Sequence, residues 1–202
     1  MSKELQDRRV QRTRKILQDA LIELILEKEF DKVTVQDVIT RANVGRSTFY
    51  SHFKDTEDLF LSGFENLWSL FEQHLTGQIV ESANVWDFSL LVFQHAQNYT
   101  GVYKALVGKQ GGVLMATHMH KYLSALIREA LKAQWSKDIQ VPLDVVVHHL
   151  ASSLIALLTW WLEHDLRYPP IHINEMFQQL TQPAVAAMLG DTLRGELARS
   201  MI

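Results

Sequence analysis

The sequence predicts an all-α protein, an N-terminal three-helix helix-turn-helix domain followed by a C-terminal helical bundle. Three observations predict it. Apolar residues recur at three- and four-residue spacing along nearly the whole chain, and no stretch alternates with the period of two that a half-buried strand requires. Nine glycines and four prolines in 202 residues are too few for a loop-rich β-sandwich. An apolar fraction of 47% supplies a core for one or two domains and is too high for a disordered chain.

Each element has its own warrant. Ile16, Leu17, Ala20, Leu21, Leu24 and Ile25 form the apolar stripe of a first helix, with Arg12, Lys15, Asp19, Glu23 and Glu27 outside it. Phe30 and Asp31 end it. Thr34 is the expected N-cap of a second helix striped by Val35, Val38, Ile39 and Ala42, with Asp37 three residues on at the reciprocal capping position. Asn43, Val44 and Gly45 supply the break, since Asn and Gly tolerate left-handed backbone. A short third helix turns Phe49 and Phe53 inward. From Asp55, with Asp58 at N3, a fourth pattern runs through Leu59, Gly63, Phe64, Leu67, Phe71 and Leu75. Later helices are expected over 86–105, 113–135, 143–166 and 174–189, punctuated by Gly111 and Gly112, Pro142, and Pro169 and Pro170. The domains divide at 1–55 and 56–202, with the helix-turn-helix over about 34–53.

Several function classes fall away. Without cysteine there is no disulfide frame, Cys-ligated zinc or thiol nucleophile. The first fifteen residues, MSKELQDRRVQRTRK, hold no apolar targeting segment, so a cytoplasmic location is expected. Residues 145–162 carry no formal charge, but His148, His149, Ser152, Ser153 and Thr159 interrupt them, so a buried helix is expected rather than a membrane span. His118 and His120 point to different sides of one helix, as do His148 and His149, so no metal is expected. Residues 101–109 resemble a phosphate loop only superficially, with six residues between Gly101 and Gly108 and Gln110 where a hydroxyl is needed. No nucleophile–base arrangement or cofactor motif appears, so neither an enzyme nor a cofactor is expected.

Two short helices around a three-residue turn, braced by a long first helix, can lay the second short helix in a DNA major groove. The outward side of the third helix carries Arg46, Ser47, Thr48, Tyr50, Ser51 and His52, whose guanidinium, hydroxyl and phenol groups suit phosphates and base edges. Lys54 follows at its end, and Thr34 can cap helix two while aiming its N–H groups at a phosphate. The net charge of −3 conceals a basic arm. Residues 1–15 hold six basic side chains against two acidic ones, a local +4, which leaves −7 for residues 16–202.

Residues 34–53, TVQDVITRANVGRSTFYSHF, followed by KDTEDLF, resemble the DNA-binding domain of the TetR family of bacterial transcriptional regulators. The Thr48, Phe49, Tyr50, His52 and Phe53 core is the most specific part, and Arg12 to Leu17 also fit. The resemblance implies a homodimer that binds a palindromic double-stranded DNA operator, usually as a repressor, and is released by an unknown small-molecule effector. It also implies that Thr34, Thr48, Tyr50, His52 and Lys54 contact DNA, mostly at phosphates, and that Arg46 and Ser47 read bases. Asn43, Ile39, Gly45 and Thr56 depart from the family's usual residues.

In the C-terminal bundle, Trp68, Phe71, Phe93, Tyr103, His118 and Trp160 are the candidate ligand-pocket residues, since such sites are apolar with a few polar groups. An uncharged helix over 145–162 must be covered, and a symmetric four-helix contact would cover it. The resemblance points to the same last two long helices. Leu154, Leu158, Trp161 and Leu162 are the candidate dimer residues. The alternative is an architectural or protein-partnered DNA binder with no small-molecule inducer.

Overall fold

The computed structural model describes residues 3–63, 86–106 and 110–199. Its helices are α1 (Lys3–Glu27), α2 (Val35–Ala42), α3 (Arg46–Tyr50), α4 (56–63), α5 (Asp87–Asn98), α6 (Thr100–Leu106), α7 (Gln110–Lys132), α8 (Leu143–Glu163) and α9 (Pro170–Arg199), with a 3-10 turn at Phe30–Lys32. No strand occurs among the described residues, and the fold is all-α as expected. The stripe predicted from Phe64 onward lies outside them. The chain divides into two compact units, Met1–Gln73 with Thr100–Met115 and His74–Tyr99 with Ala116–Ile202. Helix α4 and residues 100–115 therefore group with the N-terminal helices rather than falling beyond a boundary at 55.

In the first unit α1 buries Leu17, Ala20, Leu21, Leu24 and Ile25 of the predicted stripe, while Ile16 faces solvent. Val38 and Ile39 of α2, Phe49, Phe53, and Leu59 and Phe60 of α4 complete the core. Each such side chain contributes about 1.5–3 kcal/mol over its exposed state. α6 packs on α1, where a Cβ on Gly101 would come within 3.2 Å of Leu26. The basic arm is not a separate strand of chain. It continues α1 back to Lys3, because its Arg, Lys, Gln and Glu residues are good helix formers.

In the second unit α5 and α8 pack against α9. Phe93 meets Trp161 edge to face at 5.5 Å, and Trp86 meets Phe177 at 6.3 Å. The buried Ser89 hydroxyl is satisfied by the Trp86 carbonyl at 2.7 Å and by the Asn174 side chain. Met119, Leu123, Ile127 and Leu131 form the buried stripe of α7.

Three helix boundaries differ from expectation. The helix expected over 86–105 breaks at Tyr99, whose N–H still reaches the His95 carbonyl. α7 runs through Gly111 and Gly112 instead of starting after them. A Cβ on Gly111 would lie 2.7 Å from Leu106 Cδ2 and 3.1 Å from Phe30 Cβ, so this glycine permits close packing and makes no turn. α9 begins at Pro170, where a missing N–H costs nothing, and passes through Pro183. α8 starts at Leu143 as expected and ends where Asp165 and Leu166 adopt left-handed backbone.

Candidate nucleic-acid interface

Local chemistry fixes both ends of α2. Thr34 Oγ1 accepts the Asp37 N–H at 3.2 Å, and Asp37 Oδ2 accepts the Thr34 N–H at 2.8 Å, which is the predicted capping box. The same Asp37 oxygen takes the Thr34 hydroxyl at 2.6 Å and Lys28 Nζ at 2.7 Å. Lys28 and the two Thr34 hydrogen bonds hold the Asp37 carboxyl well below the usual carboxylate range. At the other end Asn43 takes φ 51° and ψ 49° and bonds back to the Ile39 and Thr40 carbonyls. The left-handed turn belongs to Asn43, whereas Gly45 caps α3 with an ordinary extended backbone.

α3 is short and firmly seated. Phe49 is wholly buried, Phe53 nearly so, and their ring centroids are 6.1 Å apart. The Arg14 guanidinium lies 4.6 Å over the Phe53 ring, so α1 grips the segment that follows α3 through a cation–π contact. Helical hydrogen bonding continues past Tyr50, with the Phe53 N–H reaching the Phe49 carbonyl at 2.9 Å. Lys54 N–H then bonds Asp58 Oδ2 at 2.9 Å, and Asp58 N–H bonds Asp55 Oδ1 at 2.8 Å, which starts α4 abruptly.

This seat turns the predicted residues outward. Arg46, Ser47, Tyr50, Ser51 and Lys54 are exposed, and Thr48 and His52 are half-buried. Thr34 stands exposed at the start of α2. Tyr50 is 49% exposed, with its ring edge against Phe49 and Arg46 at 5.8 Å over its face. Ser51 differs from its neighbours, since its hydroxyl already donates to the Thr48 carbonyl at 2.7 Å. Arg41 is turned inward to an α1 pair, Glu23 and Glu27, while Arg46 and Lys54 have no acidic partner among the described residues. The Arg14 contact escaped the sequence reading because its partner is remote in sequence. The Arg46–Tyr50 stack has a local signal in its i, i+4 spacing.

The predicted pocket residues take several settings. Trp68 and Phe71 lie outside the described residues. Phe93 is spent on Trp161, Tyr103 is buried in the first unit, and Trp160 stacks on His164 at 4.5 Å near the surface. His118 has a buried Nδ1 with no hydrogen-bond partner. The second unit instead holds an open groove of about 450 Å³ between α7 and α8. Short side chains, one isoleucine and two imidazoles line it, so a search for phenyl, phenol and indole rings passes over it.

The expected dimer residues face inward. Leu154, Leu158, Trp161 and Leu162 are 0–2% exposed within the single chain, and the Trp161 N–H donates to the Tyr168 carbonyl at 2.8 Å. The most apolar stripe of α8 packs into the chain's own core. Exposed apolar residues lie elsewhere, at Val145 and Trp160 on α8 and at Ile171, Met176 and Leu180 on α9. By length and composition α8 could cross a membrane, but its buried stripe also fits a core helix.

A three-helix unit with a buried aromatic hinge and an outward polar helix defines a helix-turn-helix DNA-binding protein. Residues 17–62 match the family model of bacterial regulatory proteins of the tetR family, and residues 84–183 match that of a transcriptional regulator C-terminal region. The chain belongs to the TetR family of transcriptional regulators. The uncharacterized HTH-type transcriptional regulator YxbF of Bacillus subtilis (strain 168) is 27% identical over 179 residues, or 86% of this chain. The chain spans 45% of that relative's length. The TetR transcriptional regulator from Streptococcus agalactiae 2603V is 26% identical with a TM-score of 0.67, covering 89% of this chain and 99% of that one. FadR from Bacillus subtilis, solved in complex with stearoyl-CoA, shares the fold with a TM-score of 0.60 at 18% identity, over 83% of this chain and 96% of that one.

Proposed function

We propose that this regulator binds a palindromic operator as a homodimer, represses transcription, and leaves DNA when a small molecule occupies its C-terminal unit. The observation that carries the DNA-binding part is the outward polar face of α3, seated on Phe49 and Phe53. In this reading α3 enters the major groove, where Arg46 and Ser47 meet base edges. Thr48, Tyr50, His52 and Lys54 meet phosphates, as does the N-terminus of α2 beside Thr34. Ser51 has the least to offer, its donor being held by Thr48. The basic first half of α1 adds an electrostatic footprint.

Dimerisation uses the exposed apolar residues of α8 and α9, which a two-fold four-helix contact would cover. A protein of the same fold holds stearoyl-CoA, which supports a small-molecule effector without naming it. Operator binding places the protein in the cytoplasm. The test is selection of bound genomic fragments by the purified protein, followed by a screen for compounds that release the complex. A shared inverted-repeat sequence among the fragments is expected. Fragments with no common sequence would overturn the operator reading, and an operator that no compound releases would favour the protein-partnered alternative.

A further inference from the structure

We propose that the α7–α8 groove is a binding site for a small organic carboxylate with a compact apolar body. As an effector site it rests on the regulator reading above, whereas the binding itself does not.

The two helices meet along a polar seam. Arg128 pairs with Asp144, and, two turns along α7, His120 Nε2 lies 3.2 Å from Ser152 Oγ. Partners thus fall from 128 to 120 on α7 as they rise from 144 to 152 on α8, so the helices run antiparallel. Between these rungs Ser124 Oγ lies 3.4 Å from His120 Nδ1, and the His148 ring stands 4.8 Å from that of His120. Beyond the His120–Ser152 rung the side chains shrink to Ala116 on one helix and Ile155 and Ala156 on the other, and the groove opens there.

Its chemistry selects a ligand class. A volume of about 450 Å³ lies within the range of small-molecule sites, and the wall is mostly apolar with a few polar groups at one end. The ionisable groups lining it are two imidazoles, His120 and His148, with no carboxylate among them. The acid of the seam, Asp144, is already held by Arg128. With His120 Nε2 held at Ser152 Oγ and Nδ1 near Ser124, a carboxylate would meet the Ser152 hydroxyl and the His148 imidazole with no opposing acid. Ala116, Ile155 and Ala156 would hold its hydrocarbon part.

The experiment uses the full-length protein with benzoate, uncharged benzamide and zinc chloride as probes, followed by calorimetry and by imidazole proton resonances. Benzoate is expected to bind saturably, to shift the His120 and His148 resonances, and to bind at least about tenfold more tightly than benzamide, a difference of about 1.4 kcal/mol. His148→Gln should weaken it severalfold with an unchanged circular dichroism spectrum, and Ala156→Leu should abolish it by filling the groove. No saturable benzoate binding, binding indifferent to both substitutions, or zinc taken up in place of benzoate would each overturn the proposal. Benzoate that binds the groove without releasing operator would leave the site standing and remove its effector role.

Discussion

The Arg41 guanidinium grips the Glu27 carboxylate with both terminal nitrogens, Nη1 to Oε1 at 2.9 Å and Nη2 to Oε2 at 2.6 Å, and Nη1 also reaches Glu23 at 3.2 Å. The pair ties the last turn of α2 to α1. With Lys28, the residue just after α1, holding Asp37 at the opposite end, α2 is pinned near both termini. The angle at which α2 presents α3 depends on these pins.

Arg41→Ala should therefore lower the melting temperature and weaken operator binding, although Arg41 is engaged with Glu23 and Glu27 and is not among the proposed DNA contacts. Both groups are exposed, so the stability effect is modest and screened by salt. Melting wild type and variant in low and high sodium chloride checks this. The gap should narrow as salt rises, and a gap that widens would contradict a Coulombic pin.

Asp37 gives a pH signature. Lys28 and Thr34 lower its folded pKa beneath the unfolded value of about 3.9. The stability it contributes is fully present above the unfolded value and is lost as pH falls toward the folded one. Asp37→Asn should be less stable than wild type by a constant margin above about pH 5, and that margin should shrink toward about pH 2. Thermal melts across this range read the margin directly.

Tyr50 and Arg46 separate positioning from base reading. Tyr50→Phe keeps the ring against Phe49 and removes the hydroxyl, so the fold should persist while operator affinity falls by about 1 kcal/mol. Arg46→Ala should cost about 1–3 kcal/mol and relax preference at one operator position. Competition binding against single-base operator variants distinguishes them, since the tyrosine effect should be uniform across sequences.

Legibility in the sequence followed the range of each interaction. The capping box was readable because Thr34 and Asp37 are three residues apart, and the aromatic seat was readable because Phe49 and Phe53 share one turn. The inward contact of Arg14 and the His120–His148 pair were not, because each joins separate helices whose register only folding sets. Helical spacing rules treat histidines on one helix as the natural pair, which passes over a pair formed across two. The uncharged face of α8 was correctly marked as needing cover, but periodicity cannot say whether the cover comes from α5 and α9 or from a second chain.

Gly111 shows the same limit for packing. Its place in a glycine pair suggested a break, yet the helix continues and the missing side chain leaves room for Leu106 and Phe30. Gly111→Ala would improve helix propensity by about 1 kcal/mol in an open helix. Here the new Cβ falls 2.7 Å from a Leu106 methyl and 3.1 Å from Phe30 Cβ, so overpacking of about 1–3 kcal/mol should prevail. Urea unfolding should show a net loss, and a gain would mean that Leu106 moves aside freely.

The two long C-terminal helices allow core and interface to be told apart by one pair of substitutions. Leu158 is 2% exposed, so Leu158→Arg buries a charge without a partner and should disrupt the unit. Leu180 is 76% exposed on α9, so Leu180→Arg costs the isolated chain almost nothing. If two copies meet over α8 and α9, Leu180→Arg should sediment as a folded monomer with a full helical spectrum, whereas Leu158→Arg should lose helical signal or aggregate. A Leu180→Arg protein that stays dimeric would move the interface off this part of α9, and a well-folded Leu158→Arg monomer would return Leu158 to the surface between copies.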